Sequence, residues 1–407
     1  MGFIMKKENK LKENKLNNKN NVLADSGKIT AVKAGMIFPV TAPPIPSGVM
    51  LIRDGKIVAL GEGIPIPEGA AVLDYSNAYL YPGFIDAGSH LGVNKEPYNY
   101  FEDVLDGTDA SGPFAAGLHS ADAFDAFSPA ISRARSAGIT TCYIAAGHGN
   151  IIDGQGICAK LRNSATGSNM LLPGTEQVNI TLGDLPVRSY AHKNQAPMTR
   201  MAVYQMLRDK FREASKNTDD ESLTPIRLLL EKKLRARIYC SAAQDVERAV
   251  LLGEEFDLDF VIDGAHEAWK LPGFLKEHHM PVVLNGAPFG PVLTQVAGWY
   301  DFSLDNAAVL ADSGCPLSLT ADESASTALL PYMAGFLISR GLSALKALEA
   351  ITIRPAEVLG LQERTGSLEA GKDADFTVYS GDALVSTSRC LGTYIEGQNV
   401  FTHHPDI

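Results

Sequence analysis

Hydrophobic and polar positions alternate in short runs at both ends of the chain. In the N-terminal segment, from Lys28 to about Tyr75, two such runs are separated by Asp54-Gly55, the dipeptide most typical of a β-hairpin. Near the C-terminus, DADFTVYSGD and TYIEGQNVF have the same pattern, with a turn predicted around Glu396-Gly397-Gln398. These patterns predict a small β structure at each end of the chain.

Neither terminal segment is long enough to bury a core of its own. We therefore predict that residues 28–76 and 362–402 fold together as one composite β-sandwich domain, which brackets whatever the centre of the chain forms.

Strand-like and helix-like patterns alternate over the central residues 77–361. The clearest stretch is ARIYC (236–240), then a helical pattern from Asp245 to Glu255, then DFVID (259–263). Strand starts recur about every 22 residues, the length of one βα unit, which indicates a parallel sheet. Neither G-x-G-x-x-G after the first strand nor G-x-x-x-x-G-K-[ST] occurs, so a nucleotide-binding sheet is disfavoured. We predict a (β/α)8 TIM-like barrel with its reactive groups at the carboxyl ends of the strands.

Charge and composition narrow the class of partner. The net charge is −11, from 36 Lys and Arg against 47 Asp and Glu, which argues against nucleic acid and against an anionic membrane surface. No apolar run approaches the roughly 20 residues that cross a bilayer. The five scattered cysteines are expected to be buried free thiols. A small-molecule substrate or ligand is the expected partner.

The N-terminus carries no recognisable signal peptide. A Lys/Asn-rich stretch dominates residues 1–27, without an apolar segment of signal-peptide length, so we predict a disordered tail and a cytoplasmic protein. Either Met1 or Met5 is the true start.

Three segments resemble a known family. The segment YPGFIDAGSHLG (81–92) resembles the P-G-F-I-D-x-H-x-H opening of amidohydrolases, in which two histidines at the end of the first strand bind a metal ion. Here the first position is Gly88, and only His90 remains. The segments ITIRPAEVLGLQERTGSLEAGKDADFTVYSGDAL and GHGNIIDGQGICAKL (147–161) resemble imidazolonepropionase-related members. The chain is identified as a member of the amidohydrolase superfamily.

That resemblance implies a metal-dependent hydrolase of carbon–nitrogen bonds other than peptide bonds, with further site residues on the later strands. Family members continue the strand equivalent to ARIYC with H-A-H-R-A-D-D, where this chain has Tyr239 and Ser241. Asp263 stands where the next strand would supply a histidine, and an aspartate can bind a hard divalent ion. Asp322 matches the terminal aspartate, which contacts the metal and takes the proton of the attacking water. Two interpretations of Lys160 stay open: a carbamate-bearing metal ligand, or an ion-paired lysine.

Three further residues are candidates for substrate binding. His148 follows a predicted strand on a loop at the barrel mouth, although it could equally be an exposed loop residue. His266 is either a displaced ligand or a helix-capping residue. Ser241 and its neighbour Cys240 lie at a strand end, but no histidine is predicted beside them, so nucleophilic catalysis is disfavoured.

Two hypotheses follow. In the first, the protein is a hydrolase that uses one divalent ion (Zn, Fe or Mn) held by His90, Asp263 and Asp322, with assistance from Lys160 and with Asp322 as the catalytic proton acceptor. In the second, the barrel holds no metal and is catalytically silent, and it binds a small ligand or pairs with an active amidohydrolase paralogue. A homodimer is the other expected assembly.

Overall fold

The fold is described from a computed structural model for residues 27–94, 106–285, 301–322 and 324–403. The predicted disordered tail, residues 1–27, lies outside the described residues apart from Gly27. In the described part, two sheets account for all the strands.

The first sheet has seven strands from the two ends of the chain, in the order β15-β14-β13-β4-β1-β2-β3. Its strands are β1 Thr30–Ile37, β2 Ile45–Arg53, β3 Lys56–Glu62, β4 Ala71–Pro82, β13 Phe376–Tyr379, β14 Cys390–Ile395 and β15 Gln398–Thr402. Strand β4 pairs with β1 on one side and with β13 on the other, so it joins the two ends of the chain. The strands of the composite domain therefore form one continuous hydrogen-bonded sheet.

Both predicted hairpins are confirmed. Asp54 and Gly55 link β2 to β3, and both have positive φ angles (51° and 76°), as a two-residue hairpin turn requires. Glu396 and Gly397 link β14 to β15 in the same way, with φ angles of 51° and 72°. Turn chemistry thus sets the register at both ends of the sheet.

The second sheet has eight strands and forms the barrel, in the order β12-β11-β10-β9-β8-β7-β6-β5. Its strands are β5 Phe84–Ser89, β6 Ile139–Ile144, β7 Ile152–Lys160, β8 Gln177–Thr181, β9 Arg235–Cys240, β10 Phe260–Gly264, β11 Val282–Asn285 and β12 Leu317–Thr320. The ring closes where the backbone N–H of His90 donates a hydrogen bond to the carbonyl oxygen of Asp322 (3.0 Å). Since β4 continues to Pro82, residues 77–82 belong to the first sheet rather than to the barrel.

One barrel strand departs from the predicted all-parallel pattern. Strand β7 runs antiparallel to both of its neighbours, β6 and β8, whereas the other neighbouring strands pair in parallel. The carboxyl end of β7 therefore lies at the opposite edge of the barrel from the carboxyl ends of the other seven strands. The barrel is TIM-like with a single reversed strand.

Helices cover the outside of the barrel. Their bounds are Ser120–Ala123, Pro129–Ser136, Asp184–Ala191, Arg200–Lys216, Thr224–Leu230, Ala243–Glu255, Pro272–Glu277, Asn306–Ser313, Leu330–Ile338, Ala344–Glu349 and Ile353–Val358. The longest, Arg200–Lys216, buries Val203, Leu207 and Phe211, which repeat every four residues and so form one apolar stripe. Among the described residues, no helix has the length and apolar character needed to cross a membrane.

Candidate functional site

The closure of the barrel brings two candidate residues together. His90 directly follows β5, and Asp322 lies two residues after β12. Besides the backbone hydrogen bond, the His90 Nδ1–H donates to the same Asp322 carbonyl oxygen at 3.0 Å. In the neutral ring this leaves the lone pair on Nε2. Asp322 has a φ of +64°, which is uncommon for a residue with a side chain and indicates local strain at this point.

His148 lies on the loop after β6, the strand next to β5, and its ring contacts Asp322. Its Nε2 is 3.6 Å from Asp322 Oδ1, which makes the contact an ion pair rather than a hydrogen bond. The imidazole stacks on the Tyr239 ring (centroids 4.0 Å apart, planes 20° apart) and meets the His90 ring edge-on at 5.5 Å. Its Nδ1 has no hydrogen-bond partner among the described residues.

The two groups hold each other in the charged form. Burial opposes the protonation of His148, but the Asp322 carboxylate outweighs it and raises the pKa of the imidazole. Burial alone would raise the pKa of Asp322. The neighbouring imidazoles of His148, His90 and His266 have the larger effect, so the pKa of Asp322 is lowered to about 2. Each group thus favours the charged form of the other.

His266 and Ser241 complete the polar groups at the mouth. His266 follows β10 by two residues and is buried, with its ring 6.5 Å from that of Tyr239. Burial lowers the pKa of His266 to about 4, so its ring is neutral near pH 7. Ser241 follows β9 and lies in a small pocket that Tyr239, Arg200 and Asp245 also line. The predicted substrate-binding residues thus all lie at the barrel mouth.

Arg237, a residue that the sequence patterns did not single out, lies inside the barrel. Its side chain is fully buried, and its Nε lies 2.5 Å from Asp263 Oδ2 on the neighbouring strand. Its Nη2 donates to the carbonyl oxygen of Ala87, its Nη1 lies 3.5 Å from Gln177 Oε1, and the guanidinium covers the ring of Tyr143 at 4.5 Å. The available signal was a charged residue within a strand pattern, two positions before Tyr239 and hence on the same face.

This arrangement removes Asp263 from the predicted ligand set. One carboxylate oxygen binds the Arg237 guanidinium, and the other accepts the backbone N–H of Gly264 at 2.8 Å. The buried Arg237 cation already pairs with this carboxylate and would repel a metal ion placed on it. The assignment of Asp263 as a metal ligand is corrected accordingly.

Lys160 is not at the mouth. It ends the reversed strand β7 and pairs with Thr141 near the start of β6, at the other edge of the barrel. Its buried Nζ contacts Asp373 (2.5 Å), Asp375 (2.9 Å) and Glu396 (3.2 Å). Burial disfavours the charged amine, but these carboxylates outweigh it and raise the pKa of Lys160. Since a carbamate forms on an unprotonated amine, the carbamate interpretation is corrected, and Lys160 joins the barrel to the composite sheet.

Among the described residues, the four predicted ligands do not come together as one metal centre. Within the described ranges, no group of three or more His, Cys, Asp or Glu side chains is arranged to hold a metal ion. Of the four predicted ligands, His90 and Asp322 adjoin each other, while Asp263 and Lys160 are engaged elsewhere. In addition, a Cβ at Gly88 would lie 2.7 Å from Arg237 Nη2, so the guanidinium takes the space of a side chain at that position.

Two buried carboxyl groups lie beneath the mouth. Asp86 is fully buried and accepts a hydrogen bond from Thr320 Oγ1 at 2.8 Å, while its Oδ2 has no hydrogen-bond partner among the described residues. Asp153 accepts one from Thr181 Oγ1 at 2.7 Å. Burial raises the pKa of both to about 7, against the opposing effect of these hydrogen bonds and, for Asp153, of His148. Both groups can therefore carry a proton near neutral pH.

Comparisons with known proteins give consistent matches. A family model described as the amidohydrolase family matches residues 314–401. Among solved structures, an amidohydrolase from Thermotoga maritima is 30% identical with a TM-score of 0.85, and the match covers 92% of this chain and 100% of that chain.

Two curated relatives match over most of this chain. Imidazolonepropionase of Thermoplasma acidophilum is 23% identical over 363 residues, which cover 81% of this chain and 82% of that protein. Amidohydrolase tasK of Hapsidospora irregularis is 25% identical over 444 residues. That match covers 93% of this chain but 44% of tasK, so the chain spans less than half the length of that relative.

Proposed function

Because this chain belongs to the amidohydrolase superfamily, as its resemblance predicted, and is a hydrolase by family, we propose that it hydrolyses a carbon–nitrogen bond other than a peptide bond in a small molecule bound at the barrel mouth. The observation that carries the proposal is the Asp322–His148 ion pair at the end of the last barrel strand. It offers a proton acceptor and a proton donor side by side, the two groups that hydrolysis of a C–N bond requires.

Each partner has a defined role in the reaction. The Asp322 carboxylate accepts a proton from water as the water oxygen bonds to the substrate carbon. The His148 imidazolium gives its proton to the nitrogen as the C–N bond breaks. Asp322 then returns its proton to His148 across the 3.6 Å gap, which restores the starting state. Asn285 Nδ2, 3.3 Å from Asp322 Oδ2, orients the carboxylate.

The low pKa of Asp322 restricts the substrate. Full proton transfer from free water to a carboxylate with a pKa of about 2 costs on the order of 20 kcal/mol, so the transfer has to accompany bond formation. That requirement favours an electron-poor or strained C–N bond, as in a small cyclic amide or amidine, over an ordinary amide.

Members of this family typically bind a divalent metal ion. When bound, such an ion would lower the pKa of attacking water from roughly 15.7 to about 7. The described side chains do not fit that group, so the proposed steps use only the protein's own residues.

A catalytically silent, ligand-binding barrel is the second candidate. It is favoured by the Arg237–Asp263 ion pair in the barrel interior and by the weak basicity of Asp322. In that case the mouth binds a small molecule without turnover, either in a homodimer or beside an active paralogue.

The test is turnover by chelator-treated protein on a panel of cyclic imides, dihydropyrimidines and N-acyl amines, followed by mass spectrometry. We expect activity that survives chelation and falls at least about 100-fold in Asp322→Asn, since acid–base groups contribute that much. The matched control is Asp219→Asn, which makes the same change at an exposed loop position and should leave the rate intact.

Two results would decide against hydrolysis by this pair. Unchanged turnover in Asp322→Asn would exclude Asp322 as the proton acceptor. Saturable binding of panel compounds without product formation would leave the silent barrel as the function.

A further inference from the structure

The guanidinium of Arg237 is held at three points that belong to three different barrel strands. Asp263 on β10 binds Nε, the carbonyl oxygen of Ala87 on β5 binds Nη2, and Gln177 on β8 lies at hydrogen-bond distance from Nη1. The ring of Tyr143 on β6 covers one face of the group. The cation is thus fixed in place, and an arginine side chain does not lose its charge in a protein.

The position of this cation bears directly on the missing histidine. Residue 88 lies at the end of β5, and a Cβ built there would be 2.7 Å from Arg237 Nη2, too close for any side chain while the guanidinium stays in place. The φ angle of Gly88 lies outside the left-handed region, so the backbone alone does not require glycine there. What excludes a side chain at this position is the guanidinium.

Charge adds to the steric conflict. A divalent ion bound by His90 at this strand end would share a poorly hydrated interior with a permanent positive charge, and like charges repel strongly there. Asp263, the carboxylate nearest to the guanidinium, is already neutralised by it. Together, His90, Asp263 and Arg237 therefore offer neither the space nor the net negative charge that a divalent ion needs.

We infer that Arg237 stands in for the metal ion of this barrel: it is a built-in cation that links β5, β8 and β10 and makes the site independent of divalent metals. Arg237 is a positioning residue, because its nitrogen atoms bind the barrel wall. The inference concerns the site of the proposed function and rests on it only for the location of the mouth.

The experiment measures zinc content, so it is independent of whether any substrate is hydrolysed. Wild type, Gly88→His, Arg237→Met and the double variant Gly88→His/Arg237→Met are incubated with ZnCl2, desalted and analysed by mass spectrometry of the metal. We expect less than about 0.1 equivalent in wild type and in Gly88→His, and about one equivalent in the double variant, where two histidines and freed carboxylates can converge. Adding His90→Ala to the double variant should abolish the uptake.

Several outcomes would overturn the inference. A full equivalent of zinc in wild type, or in Gly88→His alone, would show that the guanidinium does not exclude the ion. A cooperatively melting double variant without zinc would show that something other than Arg237 excludes it. If the double variant does not fold, Gly88→Ala provides the test. This substitution should lower the melting temperature when Arg237 is present, but not in the Arg237→Met background. Equal effects in both backgrounds would refute the steric conflict.

Since the readouts differ, the two proposals fail separately. Unchanged turnover in Asp322→Asn would refute the proposed role of Asp322 without affecting the zinc measurements, and zinc bound to wild type would refute the inference about Arg237 without deciding the role of Asp322.

Discussion

Replacing Asp86 with asparagine is expected to remove a strong pH dependence from the stability of the barrel. Asp86 is fully buried within β5, and its Oδ1 accepts hydrogen bonds from Thr320 Oγ1 (2.8 Å) and from the backbone N–H groups of Gly88 and Ala321 (both 3.2 Å). Its Oδ2 has no partner among the described residues. Burial therefore raises the pKa of Asp86 to about 7 from its ordinary value of 3.8.

The sign and size follow from proton binding. Between pH 4 and pH 7 the folded protein keeps a proton on Asp86 that the unfolded chain has released, so the contribution is present below pH 4 and is lost as the pH rises to 7. Each pKa unit corresponds to about 1.4 kcal/mol, so the free energy of unfolding should fall by about 4 kcal/mol over this range because of Asp86 alone.

Other groups titrate in the same range. Asp153, with its pKa also raised to about 7, acts in the same direction, whereas His266, with its pKa lowered to about 4, makes stability rise with pH. The informative quantity is therefore the difference in unfolding free energy between Asp86→Asn and wild type.

Urea unfolding followed by circular dichroism at several pH values from 4 to 7 measures that difference. An amide does not titrate, so any packing defect adds a constant offset, and the difference should grow in favour of the variant by about 4 kcal/mol from pH 4 to pH 7. Asp122→Asn, at an exposed position, should show no such trend. A difference that stays flat within about 1 kcal/mol would refute the assignment of a protonated Asp86.

Two further predictions concern the joint between barrel and composite sheet. Lys160→Met leaves the buried Asp375 carboxylate without its cation and removes one of the three cations around Asp373, so it should destabilise the protein by about 3–5 kcal/mol in urea unfolding, while the half-exposed Lys33→Met should cost no more than about 1 kcal/mol; equal losses would contradict the buried network. Truncation after Leu361 removes β13, β14 and β15 and should give an insoluble protein, so a soluble product with a cooperative melting transition would count against the composite sheet.

Much of the architecture was predictable because local chemistry and global fold agree. Asp54-Gly55 marks a hairpin through the backbone angles that it favours, and the regular spacing of strands marks βα units. The reversal of β7 was not predictable, because a buried strand has the same apolar pattern in either direction. That reversal also places Lys160, whose carbamate interpretation came from the family resemblance, at the barrel edge opposite the mouth.

The candidate site was predictable where it depends on strand ends. His90 and Asp322 follow barrel strands, and closure of the ring brings them together. The pairing of Arg237 with Asp263 depends on which side chains share the barrel interior, and residues 26 positions apart on different strands carry no local signal for it. A ligand set inferred one strand at a time cannot include such a competing partner.

The central position of β4 in the composite sheet has a consequence for synthesis on the ribosome. Its edge toward β13 exposes unpaired N–H and C=O groups until Phe376–Tyr379 has emerged, roughly 15 to 60 s later at ordinary translation rates. Open strand edges of this kind recruit other strands. The nascent chain thus has a window for misassembly that ends only when its last segment arrives, and the yield of native protein should depend on chaperones that shield this edge.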